Sequence, residues 1–236
     1  MTVKRALAGG RLVLGTFVFE FATNGIGRLA AGAGAEFVIY DSEHTGWDWQ
    51  TLGGLVATTR TTRAEPWIRV PGIDRQSVAR ALDTGARGVM VPMVETAEQA
   101  RAIASWARYP PDGIRGAAFG VAHDDYVRGD TVAYMRTSNQ DNLILTQIET
   151  AAGLKAAHDI AAVDGVDVLW VGHFDLTNSL GIPGQFDHPD YLAALDRVVA
   201  AAAAHGKQAG FMAGSAGEAA MLVDRGFRLL AYGGDL

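Results

Sequence analysis

The chain has 236 residues, of which 49% are hydrophobic, with no cysteine and a formal charge of −6. This length is enough to bury one sizeable core, and we expect a single domain over residues 1–236. The absence of cysteine excludes disulfides, thiolate metal sites and cysteine nucleophiles, and it fits a reducing cytoplasm. The acidic balance argues against nucleic acid and anionic membranes as partners, and no signal peptide or membrane span is recognisable.

Short apolar runs alternate with longer alanine-rich segments of helical period. The runs predict strands at 12–19, 36–41, 66–70, 88–94, 143–149, 166–172, 208–213 and 227–234. Between them we predict helices near 24–32, 48–60, 74–85, 96–108, 151–162, 189–205 and 215–225. Several of these helices have candidate N-caps, namely Asn24, Asp48, Asp74, Thr96 and Ser215. Eight strands joined by crossover helices predict an α/β fold, a (β/α)₈ TIM barrel rather than an open sheet.

Two features depart from the regular repeat. Residues 109–142 form a long excursion between the fourth and fifth strands, which we expect on the carboxy-terminal face of the barrel with a functional or interface role. The chain reaches Asp235 and Leu236 directly after the eighth strand, so the eighth helix is missing. We expect either that this helix has been lost or trimmed, or that a neighbouring molecule covers the exposed side.

Polar residues at the carboxy-terminal ends of barrel strands project toward a shared pocket, where such enzymes keep their chemistry. The residues at these positions are Asp41, Glu43 and His44 after strand two, Arg69 in strand three, Gln147 and Glu149 in strand five, and His173, Phe174 and Asp175 after strand six. This set defines the candidate site.

Glu149 and Asp175 come from adjacent strands. Two such carboxylates can share a divalent cation, with water and substrate oxygens completing an octahedron. The structural alternative is that each acid caps a nearby turn or helix.

His44 follows Asp41 by three residues, and Asp41 could accept a hydrogen bond from one imidazole nitrogen. The other nitrogen would then be free to act as a general base near neutral pH. The alternative is a packed or surface histidine. Glu43 points another way by alternation, and a structural contact with an arginine or backbone donors is expected for it.

Arg69 lies inside the apolar stretch "PWIRVPG", where an unpaired guanidinium would be strongly unfavourable. Either it forms a buried ion pair with Asp41, Glu43 or Asp83, or it stabilises negative charge on a substrate oxygen. The sequence alone leaves both open. No lysine lies at a strand end, so a Schiff-base mechanism has no evident nucleophile.

Four ordered stretches resemble the HpcH/HpaI aldolase family of metal-dependent pyruvate aldolases, typified by 4-hydroxy-2-oxoheptanedioate aldolase. They are "YDSEHTGWD", "IRVPGIDRQSVARALDTGARGVMVPMVETAEQARAIASWARYPPDGIRG", "TQIETAAGL" and "VDVLWVGHFDLTNSLGIPG". The resemblance implies a barrel of the phosphoenolpyruvate/pyruvate type that uses Mg²⁺, Mn²⁺ or Co²⁺. It also implies a homo-oligomer, a hexamer in which the last helix is exchanged between subunits.

The resemblance assigns roles by position. It implies that His44 is the base, that Arg69 stabilises the transition state, and that Glu149 and Asp175 hold the metal. Further positions are implied to act on the base or the substrate: Asp83, which would tune the histidine and could do so across a subunit boundary, and Gln147 and the backbone at Phe174, which would bind substrate. The turn "GHFDL" lacks the proline usual in the family, which predicts a narrower or differently polar pocket beside Asp175.

The expected activity is therefore aldol formation or cleavage of a 4-hydroxy-2-oxo acid, from a small-molecule 2-oxo acid such as pyruvate and an aldehyde. A metal would lower the cost of the enolate, and His44, with Asp41 and Asp83, would move the proton at the aldehyde-derived hydroxyl. The alternatives are a related metal-enolate lyase or oxaloacetate decarboxylase, and a non-catalytic homologue that binds a 2-oxo acid.

Overall fold

Eight parallel strands close into a barrel in chain order in the computed structural model, which describes residues 1–236. The strands are β1 (Val13–Val18), β2 (Phe37–Asp41), β3 (Glu65–Arg69), β4 (Gly88–Val91), β5 (Leu143–Ile148), β6 (Val168–Val171), β7 (Gln208–Ala213) and β8 (Leu229–Tyr232). Strand β8 pairs with β1 and completes the ring. The (β/α)₈ prediction is confirmed, although β4 ends three residues earlier than predicted because the chain turns at Met93, whose φ is 57°.

Ten α-helices accompany the strands. They are α1 (Val3–Ala8), α2 (Ile26–Ala33), α3 (Trp49–Thr59), α4 (Arg75–Asp83), α5 (Ala97–Ala107), α6 (Thr131–Asp141), α7 (Ala151–Ala161), α8 (His173–Ser179), α9 (Pro189–Ala204) and α10 (Ala216–Arg225). No helix follows β8 in residues 233–236. None of the helices has both the length and the apolar character that a bilayer crossing would need.

The predicted N-caps are confirmed at four helices. The side chains of Asp48, Asp74, Thr96 and Ser215 each accept a hydrogen bond from a backbone N–H in the first turn of α3, α4, α5 and α10. Asn24 was wrong as a cap, since α2 begins after Gly25 and has no side-chain cap bond. Helices α1, α6 and α8 were not predicted, because each is short or only weakly amphipathic.

Side-chain alternation divides the core into two layers. On β2, Val38 and Tyr40 pack outward against the surrounding helices, whereas Phe37 and Ile39 point into the barrel. The inner layer includes Trp67 and the buried residues of α1, so α1 closes the amino-terminal opening of the barrel. The carboxy-terminal opening is left for polar residues.

The excursion at 109–142 lies on the opposite face from the one predicted. It follows α5, which runs back from the carboxy-terminal to the amino-terminal face, and it ends where β5 begins. There Asp125 pairs with Arg60 at 2.6 Å, just beyond the last residue of α3. The prediction overlooked that a βα unit returns the chain to the amino-terminal face before the excursion starts.

Candidate active site

The strands carry their charged residues at the last inward-facing positions. On β2 the inward series is Phe37, Ile39 and Asp41, and on β3 it is Trp67 followed by Arg69. The register pairs Asp41 with Arg69 directly. The inward-facing side chains are apolar toward the amino-terminal end of the barrel. The same alternation therefore places opposite charges side by side at the carboxy-terminal rim.

Asp41 is fully buried and fixes the turn that follows β2. Its Oδ1 accepts from Nε of Arg69 at 2.5 Å, and its Oδ2 accepts the backbone N–H of His44 at 2.9 Å. The predicted hydrogen bond from the His44 imidazole to Asp41 is wrong, because the ring lies beside Glu43 while Asp41 binds backbone N–H groups and Arg69. Asp41 therefore holds the main chain of His44 and leaves its ring free.

Glu43 is the carboxylate nearest the His44 ring. Its Oε2 lies 3.7 Å from Nε2 of His44 and 3.2 Å from Nη1 of Arg69. Burial raises the pKa of Glu43 to about 7, with Arg69 opposing the rise and the charges of Glu149, Asp41 and Asp175 adding to it. The expected contact with an arginine is confirmed, and Arg69 has Asp41 and Glu43 as its counter-ions.

Glu149 follows β5 and is only 1% exposed. One carboxylate oxygen accepts the backbone N–H of Met93 at 2.5 Å, and the other accepts the amide N–H of Gln147. Burial raises the pKa of Glu149, and the nearby charge of Asp175 adds to the rise, while the two hydrogen bonds oppose it. The capping alternative does not hold for Glu149, since Thr150 is the N-cap of α7.

Asp175 follows strand β6, as predicted, but it lies in the first turn of the short helix α8 and not in an irregular turn. The chain enters this helix from Gly172, at which a Cβ would lie 2.2 Å from Oε2 of Glu149. Gly172 is therefore the residue that lets α8 start close to the buried carboxylate. The side chain of Asp175 makes no capping bond and is exposed on the cleft side.

The pair formed by Glu149 and Asp175 fits a divalent cation of the Mg²⁺ type, which takes one or two carboxylates and completes its octahedron with water and substrate oxygens. The buried Oε1 of Gln147 has no hydrogen-bond partner, so the site also has unused oxygen acceptor capacity. No group of three or more His, Cys, Asp or Glu side chains is arranged to hold a metal. Any cation here would rely on non-protein ligands for most positions.

A cleft of about 310 Å³ opens at the carboxy-terminal rim, with the buried Asp41 and Glu149 behind its wall. Its polar side is formed by His44, Arg69, Gln147, His173 and Asp175. The other lining residues are Phe17, Phe19, Trp170, Val171, Gly172, Phe174, Met212 and Leu236. His173 stacks on Phe211 and has a pKa lowered by burial, whereas Phe174 is 60% exposed at the mouth.

Asp83 is the predicted site residue that the fold places elsewhere. It ends α4 at the amino-terminal face, where its carboxylate accepts from Nη2 of Arg115 at 2.6 Å. His44 lies at the opposite end of the barrel, so the two residues cannot meet within one chain. The predicted action of Asp83 on His44 therefore requires that the two residues belong to different subunits.

Sequence reasoning also missed three residues that shape the site: Met93, Gly172 and Phe19. Met93 has a left-handed backbone that aims its N–H at Glu149. Phe19 stacks on Phe17, and the guanidinium of Arg69 lies against both rings. Phe19 and Gly172 are the last residues of two predicted strands, so their positions at the rim could have been inferred from the sequence, whereas the left-handed backbone of Met93 had no such signal.

The sequence model of the HpcH/HpaI aldolase/citrate lyase family matches residues 21–236. The chain belongs to this family. As a member it is an aldolase-type carbon–carbon lyase, and its named relatives act on small molecules.

Among these relatives, the hydroxypyruvate/pyruvate aldolase of Roseovarius nubinhibens is 34% identical, with the match covering 100% of this chain and 91% of the relative. The 4-hydroxy-2-oxovalerate aldolase of Novosphingobium aromaticivorans is 38% identical, with 98% and 87% covered. The crystal structure of an HpcH/HpaI aldolase from Desulfitobacterium hafniense superposes with a TM-score of 0.95 at 33% identity, covering 100% of this chain and 91% of the other. The family barrel is thus reproduced over the whole chain.

Proposed function

We propose that this single-domain enzyme is a divalent-metal-dependent aldolase that makes or cleaves 4-hydroxy-2-oxo acids, using pyruvate or a related 2-oxo acid and an aldehyde. The observation that carries the proposal is the cleft that His44, Arg69 and Asp175 line together. The buried Glu149 lies directly behind its wall, bonded to Gln147 and next to Gly172, which are both lining residues. Carboxylate ligands, a fixed cation and an imidazole are the groups that enolate chemistry requires.

Glu149 and Asp175 would hold Mg²⁺, Mn²⁺ or Co²⁺, which when bound supplies Lewis acidity toward the oxygens of the 2-oxo acid. His44 would take the proton from the C4 hydroxyl as the C3–C4 bond breaks to give an aldehyde and the enolate of the 2-oxo acid. Arg69, held by Asp41 and Glu43, would stabilise the negative charge that develops on oxygen. The enolate then gains a proton at C3, and synthesis runs through the same groups in reverse.

The test is metal-dependent cleavage of 4-hydroxy-2-oxovalerate, followed by coupling the released pyruvate to lactate dehydrogenase. EDTA should abolish the activity, and Mn²⁺ or Mg²⁺ should restore it. His44→Ala should lose turnover, whereas His158→Ala, which changes an exposed histidine on α7, should not. Full activity of the metal-free protein would refute the proposal.

A substrate panel separates this activity from its relatives. Oxaloacetate tests decarboxylation, and acyl-CoA thioesters test the citrate-lyase type of reaction. Turnover of oxaloacetate alone would replace the aldolase proposal with the decarboxylase. Binding of a 2-oxo acid without turnover of any member of the panel would favour the non-catalytic alternative.

We further propose that the protein works as a homohexamer in the cytoplasm. Support for the hexamer is the family resemblance, together with an Asp83 that could reach a His44 only across a subunit boundary. Support for the cytoplasm is the absence of cysteine. Light scattering after size-exclusion chromatography tests the assembly, and a monomer or dimer at micromolar concentration would contradict it.

A further inference from the structure

Asp235 binds three consecutive backbone amides of the loop that follows β1. Its Oδ1 accepts the N–H of Phe19 at 2.7 Å, and its Oδ2 accepts those of Glu20 at 3.0 Å and Phe21 at 2.7 Å. Successive N–H groups that point to one spot form an anion-binding concavity. Here the anion is a side chain of the same protein, and no sequence signal predicted its role.

The chain after β8 is shaped for this contact. Gly233 has a φ of 62°, which glycine adopts without strain, and this turn brings the next residues across the end of β1. A Cβ on Gly234 would lie 3.1 Å from the ring of Phe19. Burial would raise the pKa of Asp235, but the three amide bonds outweigh it and lower the pKa below its ordinary value.

The anchored loop reaches the active site through Phe19. The ring of Phe19 stacks on Phe17 with centroids 5.1 Å apart and planes inclined by 7°. The guanidinium carbon of Arg69 lies 5.3 Å from the Phe17 ring and 5.8 Å from the Phe19 ring. Arg69 is thus held by two carboxylates and supported by two aromatic rings, one of which belongs to the loop that Asp235 fixes.

We propose that Asp235 is a positioning residue of the active site, which keeps Phe19 against Arg69 and thereby fixes the guanidinium in its working orientation. The inference rests on the proposed function for the role of Arg69. Since Arg69 acts on charge that develops in the transition state, a loss of positioning should lower kcat and leave KM nearly unchanged.

The first arm of the test is hydrogen exchange, which does not depend on activity. In Asp235→Ala the amides of residues 19–21 should lose protection relative to the wild type. Asp48→Ala is the matched control, since it also removes a carboxylate that accepts a backbone N–H on the same face, from Thr51 at 2.8 Å. Protection of residues 19–21 that is unchanged in Asp235→Ala would overturn the proposal.

The second arm is kinetic. We expect kcat of Asp235→Ala to fall about 10- to 100-fold with little change in KM, whereas Asp48→Ala should lose stability and keep its kcat. Asp235→Asn, a less disruptive second variant, should behave like the alanine variant because an amide offers one acceptor oxygen where two are in use. An unchanged kcat in both variants would overturn the proposal even if the amides exchange faster.

A double-mutant cycle with Phe19→Ala tests the route. If Asp235 acts through Phe19, the double variant should be no slower than the slower single variant, and fully additive losses would overturn this route. A wild-type protein that turns over no substrate would refute the proposed function instead, and the exchange experiment would still decide whether Asp235 holds the loop.

Discussion

Nε of Arg69 lies 2.5 Å from Oδ1 of Asp41, and the two residues are register partners on β3 and β2. Asp41 is fully buried and Arg69 is 8% exposed, so the pair sits where charges cost most to separate. This contact links the turn that carries His44 to the Arg69 guanidinium that faces the cleft. The acid–base residues of the site are therefore fixed to strands β2 and β3 of the barrel wall.

Arg69→Lys should retain the fold and lose activity. Arg69 contacts Asp41 through Nε and Glu43 through Nη1, a forked arrangement that a lysine ammonium cannot reproduce. We expect kcat to fall about 100- to 1,000-fold, the usual cost of removing one oxyanion donor. Arg101→Lys, which changes an exposed residue of α5, is the control, and a kcat for Arg69→Lys close to that of the wild type would contradict the assignment.

Glu149→Gln should lose metal binding and keep the stability of the fold. Burial raises the pKa of Glu149, so a neutral amide in its place removes a desolvation cost without changing the shape of the side chain. The new amide oxygen can accept the N–H of Met93, and its N–H can donate to the unpartnered Oε1 of Gln147 once that side-chain amide turns over. The thermal midpoint of the variant should therefore equal or exceed that of the metal-free wild type. Added Mn²⁺ should raise the midpoint of the wild type only, and an equal rise in the variant would mean that Glu149 is not a ligand.

Glu43 should produce a step in the pH profile. Because its pKa is raised to about 7, ionisation near that pH completes the contact with Arg69, and we expect kcat/KM to increase through it. Glu43→Gln should remain near the low-pH level at every pH. A step near pH 7 that persists in the variant would assign the step to another group.

The raised pKa of Glu43 also affects stability, but stability is favoured at low pH whereas activity is favoured at high pH. A carboxyl group whose pKa is raised by folding contributes its full stability below the unfolded value, and that contribution is lost as the pH rises through about 7. Urea unfolding should therefore show Glu43→Gln gaining on the wild type as the pH rises from the ordinary value of 4.5 to about 7, with a constant difference above that. Loss of stability in that range would mean that the ion pair with Arg69 outweighs the burial of Glu43.

His123 should make the protein less stable in mild acid. Its ring is buried in the excursion, with Nε2 2.7 Å from the carbonyl of Ala118 and Nδ1 2.7 Å from the hydroxyl of Tyr134. Burial lowers its pKa, although the bond to Ala118 opposes this. Stability is therefore fully present above the unfolded pKa of about 6.5 and is lost as the pH falls toward the folded value.

The measurement is the urea midpoint at pH 7.5 and pH 5.0 for the wild type and His123→Gln. The urea midpoint should fall less between pH 7.5 and pH 5.0 in the variant than in the wild type. Part of the fall should remain, because the pKa of His173 is also lowered by burial. His158→Gln, on the exposed side of α7, is the control. An equal acid loss in the wild type and His123→Gln would contradict the role of His123.

The barrel and the strand ends that bear its polar residues follow from local patterns in the amino-acid sequence. Alternation of apolar runs and helical segments is a local property, and so are the caps at Asp48, Asp74, Thr96 and Ser215, which use donors within three residues of each cap. Asp41, Arg69 and Gln147 were readable because period-two alternation fixes which residues point inward. Their catalytic roles remain predictions.

Which of these groups are in contact depends on how the strands and helices pack. Asp41 binds Arg69 and not the His44 ring, because strand register pairs residues 28 positions apart. The face on which Asp83 and residues 109–142 lie depends on the direction in which each helix returns. The hydrogen bond from the N–H of Phe19 to Asp235 joins residues 216 positions apart. No local sequence pattern predicts it, because the two residues meet only when the barrel closes.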